Sequence, residues 1–132
     1  MILVDTNVLL DVFADDAEWS DWSQDRLDSA SATDTLAINS VIYSELSIAF
    51  DRIEELEAVI KEASLTIEEI PREALFLAGK AFLRYRRSRG TKKSVLPDFY
   101  IGAHAAVMQW PLLTRDVTRY RSYFPTVSLI AP

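Results

Sequence analysis

The chain lacks cysteine altogether and has one histidine and three glycines in 132 residues. Without cysteine there are no disulfides and no thiolate metal sites, a composition compatible with the cytosol. Long apolar runs are also missing, and none approaches the ~18 residues of a membrane span. A first strand read from residue 2 leaves no room for a signal peptide. No internal repeat, low-complexity tract or second domain is visible. Disorder is excluded by a hydrophobic content of 49%, and the length suits one domain with a real core. The expectation is a single soluble, cytoplasmic domain over residues 1–132.

Negative charge is scarce in one half. Residues 1–73 hold eighteen acids and four bases, and residues 74–132 hold two acids and ten bases. The net charge of −6 argues against a nucleic-acid partner, but it conceals a C-terminal segment basic enough to attract a polyanion. The two acids left there, Asp98 and Asp116, need an explanation.

What is present alternates strand with helix. Residues 2–4, 36–38, 65–67, 112–113 and 127–130 read as strands. Residues 7–13, 18–32, 41–50, 52–63, 71–89 and 97–109 read as helices, with a short Tyr-rich helix after Asp116. Asn39 or Ser40 caps the helix that follows. Gly90 stands where glycine ends a helix, and Pro97 suits a first helical position. The alternation implies an α/β fold, a central, mostly parallel five-stranded sheet flanked by helices in three layers.

Four acids stand out against this frame. Asp5 ends the first strand, between two segments that belong in a core, and a carboxylate is seldom buried without a partner. Asp116 lies just past the fourth strand, so both sit at the strand ends where open parallel sheets bind ligands. The bland reading is a helix cap or turn. Glu45 has Val41, Ile42, Ile48 and Ala49 at helical spacing, which projects its carboxylate from an apolar stripe. Its bland reading is a snorkelling side chain or a pair with a buried arginine. Asp98 lies in a first helical turn, where the macrodipole alone favours an acid. The small residues Gly102 and Ala105 on its face suit close packing on a sheet. His104 faces away and reads as a structural or surface histidine.

Carboxylates brought together repel unless a cation intervenes. Oxygen ligands without cysteine or histidine favour a hard ion, Mg²⁺ or Mn²⁺. The matching chemistry is phosphodiester hydrolysis by metal-activated water. Arg84, Arg86, Arg87, Arg89, Lys92 and Lys93 enter the loop before Asp98, and Arg115, Arg119 and Arg121 flank Asp116. Together they suit an RNA backbone, with Tyr85 placed to stack on a base. Taken alone, the cluster is a solvated helix face. Trp19 and Trp22 suggest a protein partner, and ordinary packing is the alternative.

The stretches LVDTNVLLDV, VIYSELS, LPDFYIGAHA and LLTRD resemble, in order and spacing, the four acidic motifs of the PIN-domain ribonucleases. The short single-domain form is similar to VapC-type toxins of toxin–antitoxin pairs. The resemblance implies a PIN-like fold, Mg²⁺- or Mn²⁺-dependent endoribonuclease activity, and a homodimer held by a small antitoxin. It carries the metal-binding, catalytic acids over to Asp5, Glu45, Asp98 and Asp116. Asn7, Thr114 and Thr6 become supporting or water-positioning residues.

Two other readings are open. An aspartyl-phosphate phosphotransferase also uses an acid after its first strand, but the second acid its pattern wants is replaced by Asn7, and no lysine stands near Asp116. A PIN-like RNA- or protein-binding module without activity would keep the fold, although a lapsed site tends to lose some of its acids.

Overall fold

The computed structural model describes residues 1–88 and 90–132. Arg89, assigned above to the basic cluster and to a helix end, lies outside the described residues. In chain order the elements are β1 (Ile2–Val4), α1 (Thr6–Phe13), α2 (Ser20–Ser31), β2 (Leu36–Ile38), α3 (Ser40–Ser47) and α4 (Ile53–Glu62). They continue with β3 (Thr66–Ile67), α5 (Arg72–Arg87), α6 (Pro97–Met108), β4 (Leu112–Leu113), α7 (Thr118–Tyr123) and β5 (Leu129–Ile130). The five strands form one sheet in the order β3-β2-β1-β4-β5. Every pairing among the described residues is parallel, so the sheet is parallel throughout rather than mostly so.

The central strands are apolar without alternation because helices cover both faces of a parallel sheet. All residues of β1, β2 and β4 are buried. Leu3 lies opposite Ala37 on one side and Leu112 on the other. The edge strands β3 and β5 are shorter than the sequence suggests, two residues each, and partly exposed.

Local signals set several boundaries. Asn39 caps α3 by accepting from the Ile42 amide at 3.0 Å. Its amide nitrogen meets Nδ1 of His104 at 3.1 Å, and His104 is fully buried, hence structural and not on the surface. Pro97 opens α6 as expected. Gly90 works differently from a left-handed cap, since no glycine among the described residues has a positive φ. Its amide donates to the Tyr85 carbonyl at 3.0 Å, and a Cβ there would overlap the Tyr85 ring. Gly102 is likewise a close-approach residue, and its neighbour is the ring of Phe124 at the end of α7. That contact ties α7 to α6.

Candidate active site

The chain lays β2 and β3 on one side of β1, then β4 and β5 on the other. The crevice between the C-terminal ends of β1 and β4 is therefore the switch point where such sheets bind ligands. Asp5 follows β1 and Thr114 follows β4. Asp5 does serve as the α1 cap, with Oδ1 accepting from the Thr6 amide at 2.8 Å. The cap uses only that oxygen. Oδ2 accepts from the Thr114 hydroxyl at 2.8 Å, the Tyr120 phenol at 2.8 Å and, at 3.4 Å, the Asn7 side chain. Asp5 is 5% exposed, and among the described residues no arginine or lysine is bonded to it. Burial pushes its carboxyl up to about 6, assisted by the charge of Asp98, against the pull of Tyr120, Thr114 and Thr6.

The other acids reach the crevice by different routes. Thr6 joins two of them: its amide serves Asp5, and its hydroxyl donates to Oε1 of Glu45 at 2.7 Å. The local reason for choosing Glu45 fails, however. Ile48 is 88% exposed and Ala49 is exposed, because α3 ends at Ser47 and both lie beyond it. Asp98 stands in the first turn of α6 and accepts from Nη1 of Arg119 at 3.2 Å. Burial raises its carboxyl, Arg119 opposes the rise, and the charge of Asp116 adds to it. Asp116 is exposed, and its backbone is pinned at both ends by the Thr114 hydroxyl at 3.1 Å.

Tyr120 escaped the sequence reading beyond its place in a Tyr-rich helix. It is 2% exposed, and its phenol is raised well above 10 by burial and by the charges of Asp5, Asp98 and Glu45. Three carboxylates therefore bear on the charge of one buried hydroxyl. The donor set there is all oxygen, and burial drives two of its acids toward protonation, which a hard divalent cation would reverse. The residues fit such an ion in chemistry. In their present positions no three acids or histidines among the described residues converge closely enough to hold one. Asp98 is turned to Arg119, and Glu45 is held by Thr6.

The basic residues divide. Arg115 is committed inside the fold. Its Nε and Nη2 reach the two oxygens of Asp11 at 2.8 and 2.9 Å, while its amide donates to Oδ1 of Asn7 at 3.2 Å. Its guanidinium lies 5.2 Å from the Trp19 ring, and Ser23 also donates to Asp11 at 2.7 Å. Asp11 is 2% exposed and was not singled out as a site residue. The signal was an acid inside the apolar run Leu9-Leu10-Asp11-Val12-Phe13. Tyr85 is also occupied, packed against Phe82, Phe99 and Tyr123, so its ring is not a free stacking platform. Arg84 donates to the Tyr123 carbonyl at 3.0 Å, and Arg86 to that of Lys92. Arg87, Lys92 and Lys93 are exposed.

Residues 2–123 match the family described as the PIN domain. No curated protein matches the chain. Among solved structures, VapBC2 from Rickettsia felis, bound to a DNA fragment from its promoter, superposes with a TM-score of 0.76 at 18% identity, covering 100% of this chain and 99% of that one. VapBC-1 from nontypeable Haemophilus influenzae gives 0.73 at 16% identity, covering 99% and 98%. VapC20 from Mycobacterium tuberculosis, a toxin that cleaves the sarcin–ricin loop, gives 0.63 at 14% identity, covering 97% and 99%. The fold and the family match over residues 2–123 agree: the chain belongs to the PIN domain family.

Proposed function

We propose that this protein is a Mg²⁺- or Mn²⁺-dependent endoribonuclease and the toxin of a type II toxin–antitoxin pair. The observation that carries this reading is Asp5, a buried carboxylate at the switch point, fixed by four hydroxyl or amide donors and paired with no cation among the described residues. A folding role alone needs only the cap. The bound ion would be held by Asp5, Glu45, Asp98 and Asp116, and would supply charge neutralisation and an acidified water as nucleophile. Thr114 and Tyr120 orient the Asp5 carboxylate, Thr6 orients Glu45, and Asn7 braces the loop after β4 through the Arg115 amide. Arg87, Lys92 and Lys93 would meet the RNA backbone. Purified protein is expected to cleave RNA with Mg²⁺, to stop in EDTA, and to fall by about 10²-fold or more as Asp5→Asn. Cleavage that survives EDTA would sink the metal mechanism.

The partners follow from two surfaces. A cavity of about 490 Å³ between α1, α2 and α4 is lined by Leu9, Val12, Phe13, Leu27, Leu36 and Val59, with Asp28 and Glu62 also on its wall. That lining suits an antitoxin helix with an apolar face and flanking bases. Trp22 is not part of it, so Val59→Asp is the sharper probe: it should weaken antitoxin capture and leave RNA cleavage unchanged. The homodimer is supported by α5, whose Leu75, Phe76 and Leu83 are 44%, 70% and 40% exposed.

A further inference from the structure

The structure holds two arginine–aspartate pairs close together in sequence, and they are built differently. Arg115 grips Asp11 with two bonds of 2.8 and 2.9 Å, on a carboxylate side chain only 3% exposed. Arg119 touches Asp98 with one nitrogen at 3.2 Å, and both side chains are about one-third exposed. The first is a fork that fixes β4's loop to α1. The second is a single, half-solvated contact of the kind that contributes little to stability.

Arg119 is nonetheless kept at the acids. Its neighbour Tyr120 is buried with its phenol on Asp5, and Phe124 closes on Gly102, so α7 is anchored at both points. The guanidinium lies 5.4 Å from the Tyr85 ring centre and 5.6 Å from that of Phe99. Aromatic faces attract a guanidinium without satisfying its hydrogen-bond donors. The side chain is therefore held beside the cluster with most of its donors uncommitted. In this arrangement one oxygen of Asp98 is engaged by Arg119.

We propose that Arg119 is the exchangeable counter-ion of the acid cluster. It neutralises Asp98 in the resting protein, releases it when a divalent cation binds, and turns on its aromatic shelf to the phosphate of bound RNA. The inference rests on the metal-dependent reading above. It assigns Arg119 two opposed effects: it weakens metal binding and strengthens substrate binding.

The test measures Mn²⁺ affinity by calorimetry and RNA cleavage on the intact protein, its Arg119→Ala and its Arg119→Lys variants, with circular dichroism as the folding control. Arg119→Ala should bind Mn²⁺ about two- to five-fold more tightly, the range expected for removing a partly exposed pair. The same variant should cleave RNA about ten-fold or more slowly, with KM raised. Arg119→Lys, which keeps the charge and loses the planar fork, should fall between on both measures. Opposite signs distinguish this role from a structural one, which would lower both. Equal or weaker Mn²⁺ affinity in a folded Arg119→Ala, with the parent protein binding Mn²⁺ normally, overturns the counter-ion assignment while leaving the nuclease reading intact. Tighter Mn²⁺ with unchanged cleavage overturns the phosphate role. Mn²⁺ binding by none of the three overturns the metal reading itself.

Discussion

Asp5 and Asp11 lie six residues apart, and both are buried, at 5% and 2% exposure. Their surroundings differ in one respect. Asp11 faces a bidentate arginine and a serine hydroxyl, so its charge is compensated within the fold. Among the described residues Asp5 accepts from hydroxyls and amides only, and its carboxyl is raised to about 6. A buried carboxylate with a guanidinium partner is part of the architecture. A buried carboxylate with donors but no counter-charge is held in readiness for one. On the proposed reading, the comparison separates a structural acid from a functional acid on the same helix-turn segment.

The largest expected difference is in activity. Asp5→Asn should lose RNA cleavage by about 10²-fold or more, whereas the folded fraction of Asp11→Asn should retain most of it. Comparable losses in the two folded proteins would erase the distinction. Stability comes next, and the signs should oppose. Asp11→Asn leaves the Arg115 fork half-paired and should lose about 2–4 kcal/mol in chemical denaturation, near the range for breaking a buried pair.

Asp5→Asn should gain stability at neutral pH. A carboxyl whose folded value lies above its unfolded one favours the fold only while protonated, and that contribution is lost as pH rises through about 6. A rise from 3.8 to about 6 corresponds to roughly 3 kcal/mol at most. The gain in Asp5→Asn should therefore be full at pH 7, shrink between pH 6 and pH 4, and vanish below. A flat difference across that window would mean that Asp5 is not charged against its surroundings. The smallest effect belongs to Tyr120→Phe, which keeps the ring and removes one donor, costing about 1 kcal/mol. Losing that donor raises the Asp5 carboxyl further, so the acid limb of the cleavage profile should move to higher pH. An unchanged profile would reduce Tyr120 to packing.

Much of the fold was legible because its causes are local. The apolar triplets 2–4 and 36–38 can only be buried strands, Asn39 and Pro97 have one natural place at a helix start, and the four acids stand in recognisable stretches. Glu45 was chosen partly for a wrong reason. Helical spacing carried the apolar stripe to Ile48 and Ala49, but α3 stops at Ser47 and both are exposed. What puts Glu45 at the crevice is the Thr6 hydroxyl, a contact 39 residues away in the chain. Gly90 stands where glycine ends a helix, but what requires it is the approach of the Tyr85 ring. Tyr120 carried no sequence signal, because nothing local distinguishes a phenol that packs from one that reaches an acid just past β1.

The sequence by itself determined the strand order along the chain, the helix starts, and which carboxylates were available. It also separated the acidic half from the basic one, since charge counts and apolar runs need no partner to be read. The tertiary structure decided which cation meets which acid. Arg115 and Arg119 are four residues apart and chemically identical, yet one is locked to Asp11 and the other rests loosely on Asp98. That choice depends on the direction in which the loop after β4 and the anchored helix α7 aim two long side chains, and such directions are fixed only by the packing of Tyr120 and Phe124 against distant strands and helices.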